Sequence, residues 1–148
     1  MQKEFVATCY IFEGNRTLLH FHKKLQRWLP PGGHVEENES PAEAARREVM
    51  EECGLEIDFI RDEKYWIEVP NASSFERPAF CLMENIPTYK DVPAHQHMDF
   101  VYMANPKKGA KIREGCGFEW FTFEEVEKLD LFPDVREVFL KVLGKVLV

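Results

Sequence analysis

No apolar run in this chain is long enough to cross a bilayer: the longest nearly unbroken one, Phe5 to Phe12, falls far short of the ~20 residues a spanning helix needs. Met1-Gln2-Lys3-Glu4 does not lead into a signal-peptide core, so a soluble cytoplasmic protein is the expectation. Basic charge is also scarce, with 19 Lys and Arg against 26 Asp and Glu and a formal net charge of -7. A surface that coats nucleic acid or an anionic membrane needs clustered cations, and the sequence offers no basic tail or helix-turn-helix segment, so neither stable nucleic-acid binding nor membrane binding is expected. Cysteine is sparse. The four, at positions 9, 53, 81 and 116, lack the close pairing of zinc or redox motifs and read as reduced, mostly buried, structural residues. Repeats, low-complexity tracts and linkers are missing as well, so the 148 residues read as a single domain, 1–148. An acidic protein that handles phosphate requires a bridging cation.

What is present is an alternation of strand and helix signals. Glu4 to Phe12 is rich in aromatic and β-branched residues, and Glu13-Gly14-Asn15-Arg16 supplies a turn before Thr17 to His22, predicting a hairpin. Trp28-Leu29-Pro30-Pro31-Gly32-Gly33 reads as a loop, since two prolines remove donors and two glycines favour special backbone angles. Ser40-Pro41-Ala42-Glu43 combines an N-cap serine, a proline at the first helical position and a capping-box glutamate, and Gly54 is a stop. A helix from about Pro41 to Cys53 follows, with Ala42, Ala45, Val49 and Cys53 in one narrow stripe. Leu55 to Ile60, Tyr65 to Val69, Pro78 to Met83, Phe100 to Met103 and Gly117 to Phe121 read as strands. Tyr89 to Gln96 and Ala104 to Ala110 read as loops. Thr122 caps a short helix, Phe123 to Lys128, and Pro133 to Leu147 carries helical spacing of apolar residues. An α/β sandwich is expected.

Chemistry concentrates on the first helix. At ~100° per residue, Glu48, Glu51 and Glu52 share one arc, and like charges so placed need compensation. A hard divalent cation provides it, because Mg²⁺ takes oxygen ligands and commonly joins one or two carboxylates to substrate phosphates. Arg47 flanks the arc four residues before Glu51 and can hold a carboxylate in place, with Glu39 as its other partner. Ala44 and Ala45 lie on or beside the arc and leave space for metal and phosphate. A Glu-rich helix alone is usually a solvated face with paired arginines. The Pro-Pro-Gly-Gly segment changes that balance, since it can bring bare backbone close to a ligand.

Gly33, five residues, Glu39, seven residues, then Arg47-Glu48-Val49-Met50-Glu51-Glu52-Cys53-Gly54-Leu55 resembles a complete Nudix box. Weaker similarity extends through Trp28 to Gly32 and through Glu119-Trp120-Phe121 with Phe123-Glu124-Glu125. The resemblance implies the Nudix α/β/α sandwich with a mixed β-sheet, and Mg²⁺ or Mn²⁺ held by Glu48, Glu52 and Glu51 with the backbone of Gly32 and Gly33. It further implies a catalytic group of Glu51, Glu48 and Arg47, and attack of water on a phosphorus of a small-molecule diphosphate, most readily a nucleoside diphosphate linked to another group, nucleoside triphosphates included. Glu51 is the expected general base, with Glu114 as a candidate from outside the box. Two rivals remain. An isoprenyl-diphosphate isomerase would need a dedicated active-site cysteine and additional metal-binding histidines, and no convincing set is visible; a non-catalytic nucleotide-binding regulator would not need intact carboxylates. Homodimerisation is left open.

Elsewhere the signals are weaker. His95 and His97 would share a face only if Gln96 lay in a strand, and a loop or strand entry is the expectation. His20 and His22 have the same spacing, and His34, beside the glycines, reads as structural. Tyr65, Trp66, Phe75 and Phe80 can include a base-stacking platform but read as core, and Arg61, Arg77 and Lys90 as solvated cations. No substrate-binding residue is assigned outside the box.

Overall fold

The structure, a computed structural model, describes residues 1–146. Its elements run β1 (Lys3–Glu13), β2 (Arg16–His22), β3 (Arg27–Leu29), β4 (Gly32–His34), α1 (Pro41–Cys53), β5 (Ile57–Phe59), β6 (Glu68–Val69), β7 (Ala72–Ser73), β8 (Phe80–Ile86), β9 (His95–Pro106), β10 (Phe118–Thr122), α2 (Phe123–Val126) and α3 (Pro133–Val146). Leu147, which the helical pattern included, lies outside the described residues.

A mixed sheet in the order β10-β2-β1-β9-β5 forms the middle layer, with β3 on β2, β4 on β1 and β8 on β9. β1 and β9 run parallel from Lys3↔Gln96 to Ile11↔Ala104, and the other pairs are antiparallel. Alternation along β1 divides the core. Ala7, Cys9 and Ile11 pack with Ala42, Ala44, Ala45, Val49 and Cys53 of α1. Tyr10 and Phe12 turn the other way and pack with Phe123 and Val126 of α2 and Val135, Val138, Phe139 and Val142 of α3. The result is the expected α/β/α sandwich. No helix among the described residues is long and apolar enough to cross a membrane.

α1 begins and ends where its caps dictate. The Ser40 hydroxyl accepts from the Glu43 amide while the Glu43 carboxylate accepts from the Ser40 amide, and Gly54 closes the helix at φ 66°, its N–H donating to the Met50 carbonyl. Thr122 and Glu125 repeat the reciprocal cap at α2.

Several elements differ from the sequence expectation. The Trp28–Gly33 segment is not wholly loop: β3 and β4 flank the prolines, because Gly32 and Gly33 lack side chains and can lie directly on β1, where Cys9 donates to the Pro31 carbonyl at 3.0 Å. A Cβ on Gly32 would sit 2.6 Å from the Ala7 carbonyl oxygen. β9 is much longer than Phe100 to Met103, taking in His95 and Gln96 from one expected loop and Ala104 to Pro106 from the other. Of Tyr65 to Val69 only Glu68–Val69 is strand, in a small ribbon with Ala72–Ser73.

Side chains read as core also depart from expectation. Tyr65, Trp66 and Phe75 are exposed, with the Arg61 guanidinium 4.3 Å over the Trp66 ring, and only Phe80 packs inward. All four cysteines are free; Cys9 and Cys53 are buried, but Cys81 faces outward because it sits on the solvent side of β8.

Candidate active site

α1 carries its acidic residues along the edge nearest β4. Arg47, largely buried, holds this edge together: it donates to Glu39 at 2.7 and 3.0 Å, to Glu48 at 2.9 Å, to Glu51 at 3.2 Å and to the His34 carbonyl at 3.0 Å. Glu36 lies 3.6 Å away. One guanidinium therefore serves four carboxylates. Its bonds to Glu39 and Glu48 raise the Arg47 pKa, and Arg47 in return holds Glu39 below the usual carboxylate range. A bidentate fork makes this anchoring geometrically specific.

Glu52 is outside Arg47's reach, and burial with the neighbouring charges of Glu48 and Glu51 pushes its carboxyl up to about 7, although the Gly32 amide donates to it at 3.2 Å. Burial first, and two like charges beside it second, thus favour the protonated form of this carboxyl. Gly33 faces the same point: a Cβ there would fall 2.4 Å from Glu48 Oε1, so glycine preserves the space beside that carboxylate. The donor set is all oxygen, desolvated at Glu48 and Glu52, and has open backbone alongside, and these properties fit a hard divalent cation.

Glu48, Glu51, Glu52, Arg47, Gly32 and Gly33 are accordingly gathered at one place. Ala44 and Ala45 are not; both are completely buried in the α1 core, so their small size serves helix-to-sheet packing rather than an open approach. Glu114 is exposed, and among the described residues no hydrogen bond joins it to the box carboxylates. Its neighbour Arg113 does reach α1, donating to the Glu51 and Glu52 carbonyls at 3.0 and 3.2 Å. A cation at a helix C-terminus satisfies carbonyls that the helix leaves free, and no sequence spacing links Arg113 to α1.

A NUDIX-domain family model matches residues 3–142. An RNA pyrophosphohydrolase of Bartonella henselae is 42% identical over 60 residues, 38% of this chain and 35% of that protein, so the match spans about a third of the relative's length. An asymmetrical bis(5′-nucleosyl)-tetraphosphatase of Sus scrofa is 25% identical over 82% of this chain and 73% of that protein. Among solved structures, a NUDIX-family hydrolase from Clostridium perfringens superposes with a TM-score of 0.72 at 24% identity, covering 97% of this chain and 98% of that one. The Ap4A hydrolase of C. elegans does so with a TM-score of 0.59 at 18% identity, covering 100% of both.

Proposed function

Because the chain belongs to the NUDIX family, we propose that residues 1–148 form one hydrolase domain that cuts the phosphoric anhydride of a nucleoside diphosphate linked to another group, nucleoside triphosphates included. The observation that carries this reading is the convergence of Glu48, Glu52 and the Gly32–Gly33 backbone at one place, where no Lys or Arg among the described residues pairs with Glu52. Glu48 and Glu52, with Glu51 and the Gly32–Gly33 backbone, hold Mg²⁺ or Mn²⁺. When bound, the cation supplies polarisation of the phosphoryl oxygens and acidification of water.

The chain's own residues prepare the rest. Arg47 fixes Glu48 and Glu51 so that neither carboxylate has to reorganise during reaction. Glu51, the most exposed of the three with its side chain 59% accessible, accepts the proton of the attacking water. The water oxygen bonds to phosphorus, the bridging P–O bond breaks, and the departing phosphate carries the bonding pair.

Two of the four thiols are poor candidates for the active-site cysteine of the isomerase alternative. Cys9 and Cys53 are buried in the α1 core, where burial raises both pKa values, that of Cys53 to about 12.

Phosphate and pyrophosphate release should be measured on nucleoside triphosphates, dinucleoside tetraphosphates, nucleotide sugars and RNA bearing a 5′ diphosphate linkage, with Mg²⁺, Mn²⁺ or chelator. Metal-dependent release is expected from a small nucleotide, with Glu52→Gln slower by about 10²–10⁴-fold or more while remaining folded, since the barrier loses a charge-stabilising group. Wild-type turnover in Glu52→Gln would remove it from the metal set. Release confined to RNA would overturn the small-molecule reading, and none from any compound would favour a nucleotide-binding regulator.

A further inference from the structure

Consecutive residues of β4 point to opposite sides of the sheet, so that Gly33 abuts Glu48 while His34 turns to the other face. There it meets side chains from two more strands. The register Glu4↔His97 on β1 and β9, and Val6↔His34 on β1 and β4, brings Glu4, His34 and His97 together, with His95 two residues along β9 on the same side. The ligand-capable atoms of Glu4, His34 and His97 all lie within 4.8 Å of one another. Individual separations are 2.8 Å for His34 Nε2 to Glu4 Oε1, 3.5 Å for His97 Nε2 to Glu4 Oε1, 3.7 Å for His95 Nε2 to Glu4 Oε1 and 3.2 Å for His95 Nε2 to His97 Nε2.

A tetrahedral Zn²⁺ with bonds of ~2.0–2.1 Å separates its ligand atoms by about 3.3–3.4 Å. The separations of His34 and His97 from Glu4, 2.8 and 3.5 Å, bracket that spacing, and the three ligand atoms lie within 4.8 Å of one another. The orientation is suitable too. His95 Nδ1 lies 3.0 Å from the Pro93 carbonyl, and donating its proton there leaves the Nε2 lone pair directed at the cluster, the outer-shell arrangement common around zinc-bound imidazoles.

We propose that Glu4, His34 and His97, bordered by His95, form a second metal site, specific for Zn²⁺ or a comparable imidazole-preferring ion, separated by β4 from the box carboxylates. Three protein ligands hold the ion, and His95, 3.2 Å from His97 and 3.7 Å from Glu4, borders the site. It clips the start of β1 and of β9 to the end of β4, and thereby holds the Gly32–Gly33 backbone against Glu48 and Glu52.

Zn²⁺ should be titrated calorimetrically into chelator-treated full-length protein kept in excess Mg²⁺. One equivalent is expected at micromolar affinity or tighter, with a rise in Tm, and Co²⁺ in its place should give the intense visible bands of four-coordinate cobalt. Affinity should fall at least tenfold in His97→Ala, and similarly in His34→Gln, whose exposed position spares the fold. Glu52→Gln should bind zinc as the wild type does. No stoichiometric zinc in the wild type, unchanged affinity in both histidine variants, or loss of zinc in Glu52→Gln with retention in His97→Ala would each overturn the assignment.

Discussion

Two groups of carboxylates lie on opposite faces of the same sheet and meet the problem of crowded negative charge in different ways. Along α1, Glu39, Glu48 and Glu51 share the guanidinium of Arg47, and Glu52 is left near neutrality in its titration. On the α3 side, Asp99 is buried between β1 and β8 with Thr8 donating to one oxygen at 2.9 Å and the other oxygen without a hydrogen-bond partner. Glu84 is nearby, and Asp134 opens α3. Burial raises the pKa of both Glu84 and Asp99, each with a contribution from the charge of Asp134. No cation serves this second group among the ion pairs of the described residues. A guanidinium leaves carboxylates ionised and able to bind metal; a retained proton leaves them neutral and compatible with a core.

The contrast is most severely tested at Arg47. Arg47→Ala should lower turnover by about 10²-fold, through loss of oriented carboxylates, and cost about 1–2 kcal/mol in urea unfolding, since a partly buried charge cluster loses its cation. Added Mg²⁺ should restore part of the stability, and Arg47→Lys should not match the wild type because a single ammonium cannot form the fork. A stability change within error would show that the carboxylates do not need the guanidinium. Gly33→Ala should have a smaller effect. Its Cβ must displace the Glu48 carboxylate, so metal affinity read by titration should drop about tenfold while unfolding costs about 1–3 kcal/mol, and unchanged affinity would place the cation elsewhere.

The smallest effect is expected at Glu84. Its raised pKa means that the folded state holds the proton more tightly than the unfolded chain, so this contribution to stability is complete below the unfolded carboxylate range near pH ~4.3 and is lost as pH rises through the higher folded value. Glu84→Gln copies the protonated form at every pH. With chelator present, its Tm should equal the wild type's at pH 4 and exceed it at pH 8, by about 2–4 °C for each kcal/mol recovered. Equal Tm values at both would mean that Glu84 is ionised in the fold and that the two groups of carboxylates do not differ.

How legible these features are in the sequence depends on how local their causes are. α1 is readable to the residue because Ser40, Pro41, Glu43 and Gly54 act within one helical turn of its ends, and the Glu48, Glu51 and Glu52 arc follows from helical period alone. The first half of β9 is not readable: His95-Gln96-His97 is polar on both sides, and it becomes strand only by lying parallel to β1, more than ninety residues away for the Lys3↔Gln96 pair. The histidine cluster inherits that difficulty, since its members come from β1, β4 and β9 and only the two-residue spacing of His95 and His97 is visible in the sequence. Arg113 is hidden for the same reason, being a loop cation whose role is set by where the loop returns.

β4 is three residues long, and its alternation sorts an oxygen-rich face from a nitrogen-rich one. Slipping a pleated strand by one residue turns each side chain to the other face. Deleting or inserting a single residue between Pro31 and Val35 would therefore direct the His34 imidazole at Glu48 and leave the histidines of β9 facing glycine. Length, rather than identity, is the tighter constraint on this segment: it should tolerate substitutions beyond the glycines and His34 but no change in residue count, whichever side of the sheet is assayed.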